Sequence, residues 1–279
     1  GYLNNQYWNL LRNNKDFTRN QFLGSIKLNA ELTSFLSITA QGGVDNSNDV
    51  STFVSYPTDV LGKANGAYKE TLAKNLSRNM MAYLRLHKEG FINDDFDASI
   101  TFGGESYYRN DYSVSNSTKG DFTKPFIFAL NNGSQAPDPG DEIKYAKKIN
   151  SVYSFLNLSY KNQLFLEATA RNDWASSLPK ANNSYFYPSV NLSYVFTEGI
   201  PGIKNNLSWL DFGKLKLSYA ETGCDTDPYT IFNLLESNTY NGVLASSLPS
   251  SLKTDGIKPA RSKSFQVGLN LAMLQNRLT

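Results

Sequence analysis

Hydrophobic and polar residues alternate one by one along most of this chain. Between Leu164 and Trp174, Leu164, Leu166, Ala168 and Ala170 fall on one face of an extended backbone, and Glu167, Thr169, Arg171 and Asp173 on the other. Between Ser184 and Phe196, Phe186, Pro188, Val190, Leu192, Tyr194 and Phe196 oppose Tyr185, Tyr187, Ser189, Asn191 and Ser193. The same period of two returns in Phe22 to Glu31, Leu36 to Val44, Met80 to His87, Phe96 to Glu105, Val152 to Tyr160, Lys214 to Tyr219 and Phe265 to Met273. About nine strands are predicted. The two clearest run to about a dozen residues, longer than the five or six usual in soluble sheets and close to the nine to eleven of a tilted strand crossing a bilayer.

The connections alternate in length. Glu31 to Ser34, Phe91 to Asp94 and Lys161-Asn162 are tight turns, and Gly199 to Ser208 is modest. Between them lie polar stretches from about Asn46 to Asn75, Val114 to Lys147 and Gly223 to Ala260, with a shorter one from Ala175 to Asn183. Structureless loops of that length are unusual in a compact soluble domain. Short turns at one end and long loops at the other are the habit of outer-membrane barrels. Within Gly66 to Met81, Tyr68, Leu72, Leu76 and Met80 also form a helical stripe, which predicts a short helix running into a strand near Arg78.

Composition narrows the reading further. Hydrophobic residues make up 40% of the chain and the mean hydropathy is −0.42, so no apolar run approaches the eighteen or so residues of a membrane helix. A barrel escapes that test because only alternate residues meet lipid. Aromatics reach 13%, with 17 Tyr and 17 Phe, which suits interfacial girdles and sandwich cores alike. A net charge of +2 points to no particular partner, nucleic acid included. With one cysteine, Cys224, and one histidine, His87, there is neither an internal disulfide nor zinc-ligand spacing. No phosphate loop, nucleophile elbow or nucleophile–base pairing stands out, so neither an enzyme nor a cofactor is expected. Gly1-Tyr-Leu-Asn-Asn has no basic start and no apolar stretch, so the chain is expected to begin inside something larger or after a removed leader.

Several residues carry a bland reading beside a sharp one. Asp138, Asp141, Glu142, Asp225 and Asp227 offer calcium-type oxygens without EF-hand spacing, and a solvated acidic loop is the expectation. The Asn-Leu-Ser triplets at Asn75, Asn157, Asn191 and Asn206 match a glycosylation sequon, but polar–apolar–polar alternation produces them by chance. His87 is read as a plain residue of the polar face rather than a proton carrier or ligand contact, Cys224 as an inert thiol, and Lys144, Lys147 and Lys148 as a solvated strand entrance rather than a contact for lipid headgroups or an acidic substrate.

Arg171-Asn-Asp-Trp-Ala-Ser-Ser-Leu-Pro-Lys-Ala-Asn-Asn-Ser-Tyr-Phe-Tyr-Pro-Ser-Val-Asn-Leu-Ser-Tyr-Val-Phe-Thr-Glu198 resembles the barrel signature of the SusC/RagA family of TonB-linked outer-membrane transporters. The order continues in Lys214-Leu-Lys-Leu-Ser-Tyr-Ala-Glu-Thr-Gly223, Asp225-Thr-Asp-Pro-Tyr229 and Ile257-Lys-Pro-Ala-Arg-Ser-Lys-Ser-Phe-Gln-Val-Gly-Leu-Asn-Leu271, and Asn20 to Tyr108 follows more loosely. The resemblance implies an all-β, antiparallel up-and-down transmembrane barrel in the bacterial outer membrane. It also implies import of glycan or peptide fragments with a SusD-like surface lipoprotein, driven by TonB through a plug. Neither plug nor TonB contact is found in the sequence, and about nine strands are too few for the twenty-two of such barrels, so residues 1–279 are expected to be a partial barrel domain embedded in outer-membrane lipid.

If the alternation holds to the strand ends, Arg171, Asp173, Tyr185 and Tyr187 face the lumen near the outer mouth, where planar donors, a carboxylate and phenol rings can orient a polar ligand. The bland reading is that Arg171 and Asp173 pair with each other, or with neighbouring strands, and brace the wall. Two other classes fit the alternation: an extracellular β-sandwich for carbohydrate binding or adhesion, and a closed barrel enzyme or pore of eight to ten strands.

Overall fold

Nine of the strands join into one sheet whose order follows the sequence. A computed structural model describes residues 6–57, 66–233, 235–241, 243–253 and 256–278. The strands are β1 (Lys15–Thr33), β2 (Leu36–Ser55), β3 (Ala67–Lys88), β4 (Phe96–Phe122), β5 (Gly133–Tyr160), β6 (Leu164–Ala175), β7 (Ser184–Val195), β8 (Leu210–Cys224), β9 (Glu236–Tyr240), β10 (Val243–Ser247) and β11 (Ala260–Met273). The sheet runs β1-β2-β3-β4-β5-β6-β7-β8-β11, and β9 and β10 form a separate hairpin inserted between β8 and β11. From β1 to β8 each strand pairs with the next in sequence, β11 pairs with β8, and no face-packed second sheet of sandwich type appears among the described residues. At the three-residue turn between β5 and β6, Lys161 and Asn162 both take positive φ, 53° and 56°, to reverse the chain.

Three expectations need correction. Gly66 to Met81 is not helical: β3 is extended from Ala67 onward. Two of the stretches expected as long loops, Asn46 to Asn75 and Val114 to Lys147, are largely strand among the described residues, since β2 reaches Ser55, β3 starts at Ala67, β4 reaches Phe122 and β5 starts at Gly133, with residues 58–65 outside the described ones. The alternation expected through Phe196 ends at Val195, and Phe196 opens a single helical turn, Phe196–Gly199. That turn and two more short helices, Gln6–Arg12 and Ile203–Asn206, account for the α-helix among the described residues.

The chain divides into two units. The first comprises Gly1–Ser25, Gly43–Arg78 and Tyr108–Ala146 and holds the extensions of β1 to β5. There Arg19 donates from Nε and Nη2 to both oxygens of Asp49, at 2.8 and 2.7 Å, and Asn75 Nδ2 donates to Ser47 Oγ at 3.1 Å. Buried Asn132 ties the β4–β5 connection: its Oδ1 accepts from Thr123 Oγ1 at 2.8 Å, and its Nδ2 donates to the carbonyls of Lys124 and Ile127 at 2.7 and 2.6 Å.

The second unit, Ile26–Gly42, Asn79–Tyr107 and Lys147–Thr279, contains β6, β7, β8 and β11 entire. Its register sets Leu158, Leu166, Leu192, Leu217 and Val267 side by side across five strands. The adjoining row on the other face is Asn157, Glu167, Asn191, Ser218 and Gln266. A slip of one residue would exchange these rows, so the pairing is strongly specified.

Exposure is inverted relative to a soluble fold. Val190 is 44% exposed and Leu192 37% on strands paired on both sides, whereas Ser151, Ser193 and Ser99 are buried on the polar face. Apolar faces of that extent are not left to water. From Leu164 to Asn172 a strand rising about 3.4 Å per residue covers about 27 Å. At a tilt of roughly 40° the height falls to about 21 Å, near the ~25 Å apolar band of an outer-membrane barrel. Rings mark both limits of the band, with Trp174 and Phe186 at one end and Tyr160, tilted against Phe96 with centroids 4.6 Å apart, at the other.

Candidate functional site

Arg171 and Asp173 stand two residues apart on β6 and so project from the same polar face. The register places Tyr153 and Tyr187 on either side of Arg171, and Ser151 and Tyr185 on either side of Asp173. Arg171 Nε donates to Asp173 Oδ1 at 2.8 Å, and its Nη2 donates to Ser151 Oγ at 2.9 Å. Its Nη1 lies 3.0 Å from Glu105 Oε2 on β4. Tyr187 donates its phenol proton to Asp173 Oδ2 at 2.6 Å, and the Tyr185 ring stacks on Tyr187 at 5.9 Å and 21°. All four residues singled out in the sequence therefore meet in one network.

The network is braced from below. Tyr185 is buried with Ala175 and Leu178 in a small apolar core, and its ring lies across the backbone at Gly223, leaving no room for a Cβ there. Tyr153 lies in the same way over Gly103, where a Cβ would sit 2.5 Å from the ring. The Arg171 guanidinium is 5.9 Å from the Tyr153 ring centroid. Both oxygens of Asp173 are occupied and its side chain is only 8% exposed, so it anchors the network. Arg171 keeps a third of its surface open, and with Tyr187 it is the part of the four that a solute can touch.

Three partners escaped sequence reasoning. Glu105, Ser151 and Tyr153 come from β4 and β5, and nothing local in their sequence says which residues of β6 they will face; only the strand register does.

A second cluster lies in the same unit. Lys147 Nζ is 2.8 and 2.7 Å from the two oxygens of Asp225, and Ser177 Oγ donates to Asp225 Oδ2 at 2.7 Å. Asp225, considered above as a calcium ligand, thus neutralises a lysine, and no group of three His, Cys, Asp or Glu side chains able to hold a metal occurs among the described residues. The basic triplet is divided, since Lys144 pairs with Glu142 at 2.8 Å and Lys147 with Asp225. His87 Nε2 is 3.7 Å from Glu89 beside the β1–β2 turn, well away along β3 from Arg171's row. The Cys224 thiol is exposed.

The polar face also carries a recess of about 560 Å³ bordered by Tyr83, Arg85, Glu105, Tyr153, Phe155 and Arg171. Arg85 and Tyr83 were not singled out in the sequence, although the same alternation that placed His87 on this face places them there too.

Comparison with known proteins agrees with this architecture. The family model described as "TonB dependent receptor-like, beta-barrel" matches residues 1–279. TonB-dependent receptor P3 of Formosa agariphila is 23% identical over 240 residues, 80% of this chain and 22% of that protein. The solved structure of the RagAB peptide transporter superposes with a TM-score of 0.79 at 19% identity, over 94% of this chain and 29% of that one. The siderophore receptor PiuA from Acinetobacter baumannii gives a TM-score of 0.52 at 15% identity, over 93% of this chain and 38% of that one. The chain therefore spans between a fifth and two fifths of the length of these relatives.

Proposed function

Because this chain belongs to the family of TonB-dependent receptor β-barrels, whose model it matches along its whole length, we propose that residues 1–279 form a stretch of wall in an outer-membrane nutrient importer. The inverted exposure carries this reading: one face of the sheet is an uninterrupted apolar row suited to lipid, and the other is a hydrogen-bonded polar row suited to a wet lumen. In this assignment the short turns face the periplasm and the β9–β10 hairpin faces outward. The substrates are glycan or peptide fragments, a SusD-like lipoprotein covers the mouth, and TonB acts through a plug contributed by the rest of the transporter. The resemblance at Arg171 to Glu198 supports these roles, and the likeness to a peptide transporter structure is in keeping with them.

Within the wall, Arg171, Asp173, Tyr185 and Tyr187 act as a braced contact surface: Asp173 and Tyr185 hold, while Arg171 and Tyr187 meet the passing solute. Catalysis has no place in this scheme. The test is uptake of labelled oligopeptides and oligosaccharides by cells carrying the full-length transporter. Arg171→Ala with Asp173→Ala should lower uptake several-fold, and no cleavage of the substrate should accompany transport. Uptake unchanged by the double substitution would remove the contact role. Turnover of a glycan or peptide by the purified protein would overturn the reading altogether.

A further inference from the structure

The recess on the polar face has an uneven charge balance. Arg171, at its upper border, is neutralised by Glu105 and Asp173. Arg85, across the recess on β3, is exposed, and among the described residues it has no ion-pair or hydrogen-bond partner. Its neighbours on the walls are the rings of Tyr83, Tyr153 and Phe155, the last two 5.3 Å apart. A guanidinium with a free planar fork beside ring faces is matched by a carboxylate, which can accept two parallel hydrogen bonds, attached to a moiety that packs on the rings. The partial enclosure lowers the local dielectric and strengthens that attraction relative to open water.

We propose that this recess is a carboxylate-selective subsite, with Arg85 as the residue that binds the anion and Tyr83, Tyr153 and Phe155 as the platform for the adjoining side chain or ring. Glu105 sets the limit of the pocket: it holds Arg171 and repels a second anion, so one carboxylate is taken at a time. The carboxylate is that of an acidic or C-terminal peptide residue or that of a uronic acid, and the experiment separates the two. The proposal rests on the importer reading given above.

The experiment is binding calorimetry and uptake with the full-length transporter, using a short peptide with a free C-terminus and an acidic side chain, its amidated Gln-for-Glu counterpart, a tetrameric oligouronate and a neutral oligoglucoside. The native protein should bind either the acidic peptide or the oligouronate at least tenfold more tightly than its neutral counterpart. Arg85→Gln should abolish that preference while leaving affinity for the neutral probe unchanged, and Arg85→Lys, which keeps the charge and loses the fork, should restore part of it. Heat-modifiable gel migration confirms that each variant is folded. A preference that survives Arg85→Gln, or import of neutral probes with no preference at all, overturns the subsite and leaves the importer standing. Failure to bind or import any probe overturns both.

Discussion

Leu192→Arg should prevent much of the full-length transporter from reaching its folded, membrane-inserted state. Leu192 sits midway in the apolar row between Leu166 and Leu217, and an Arg at the midplane of a barrel's lipid face costs about 2–4 kcal/mol. Asn191→Arg, one residue away, points its new charge to the polar face beside Glu167, whose Oε2 already accepts from Asn191 at 3.0 Å, and should be tolerated. Folding yield into lipid vesicles, read by heat-modifiable gel migration, separates the two. Similar yields for both variants would mean that the apolar row does not face lipid.

The second large effect is expected at the clasp formed by Lys147, Asp225 and Ser177. Lys147 and Ser177 are 78 and 48 positions from Asp225 in sequence, and the three join β5, the β6–β7 connection and the segment after β8. Side-chain exposure is 14% for Lys147 and 9% for Asp225, so the pair is largely removed from water. Removing one partner of such a pair strands the other and costs about 3–5 kcal/mol, whereas removing both is far milder. Asp225→Ala should therefore destabilise the region and open the segment after Cys224 to protease, and Lys147→Ala with Asp225→Ala should recover most of the loss. If the double variant lost the sum of the single effects, the two side chains would be acting independently and the clasp would be refuted.

What the sequence made legible, and what it hid, follows from which residues meet lipid. Leu166, Leu192, Leu217 and Val267 were placed on one face by parity alone, because a strand half in hydrocarbon must alternate. Outside the band both faces of a strand are wet and the alternation has no cause. Val114 to Phe122 on β4 and Gly133 to Lys147 on β5 consequently read as polar loop although they are extended and paired. The helical stripe at Tyr68, Leu72, Leu76 and Met80 failed for a related reason: a spacing of four satisfies a helix turn and a period of two equally, so those residues alone cannot distinguish them. The candidate site was half legible. Arg171 with Asp173, and Tyr185 with Tyr187, are visible as alternate residues of single strands, but their union with Glu105, Ser151 and Tyr153 depends on pairing between strands.

The central claim is that this sheet is one wall between lipid and a wet lumen. It is tested most directly by placing single cysteines at each position from Leu164 to Asp173 and from Tyr185 to Tyr194 in a full-length transporter in which Cys224 is replaced by Ser. A fluorescent label at each site is then exposed in turn to brominated lipid and to a water-soluble quencher. The account predicts quenching by lipid at Leu164, Leu166, Ala168, Val190, Leu192 and Tyr194, with the water-soluble quencher favoured at Glu167, Thr169, Arg171, Tyr187, Ser189 and Asn191, in strict alternation on both strands. Alternation that is absent, or lipid contact on both faces, would contradict it.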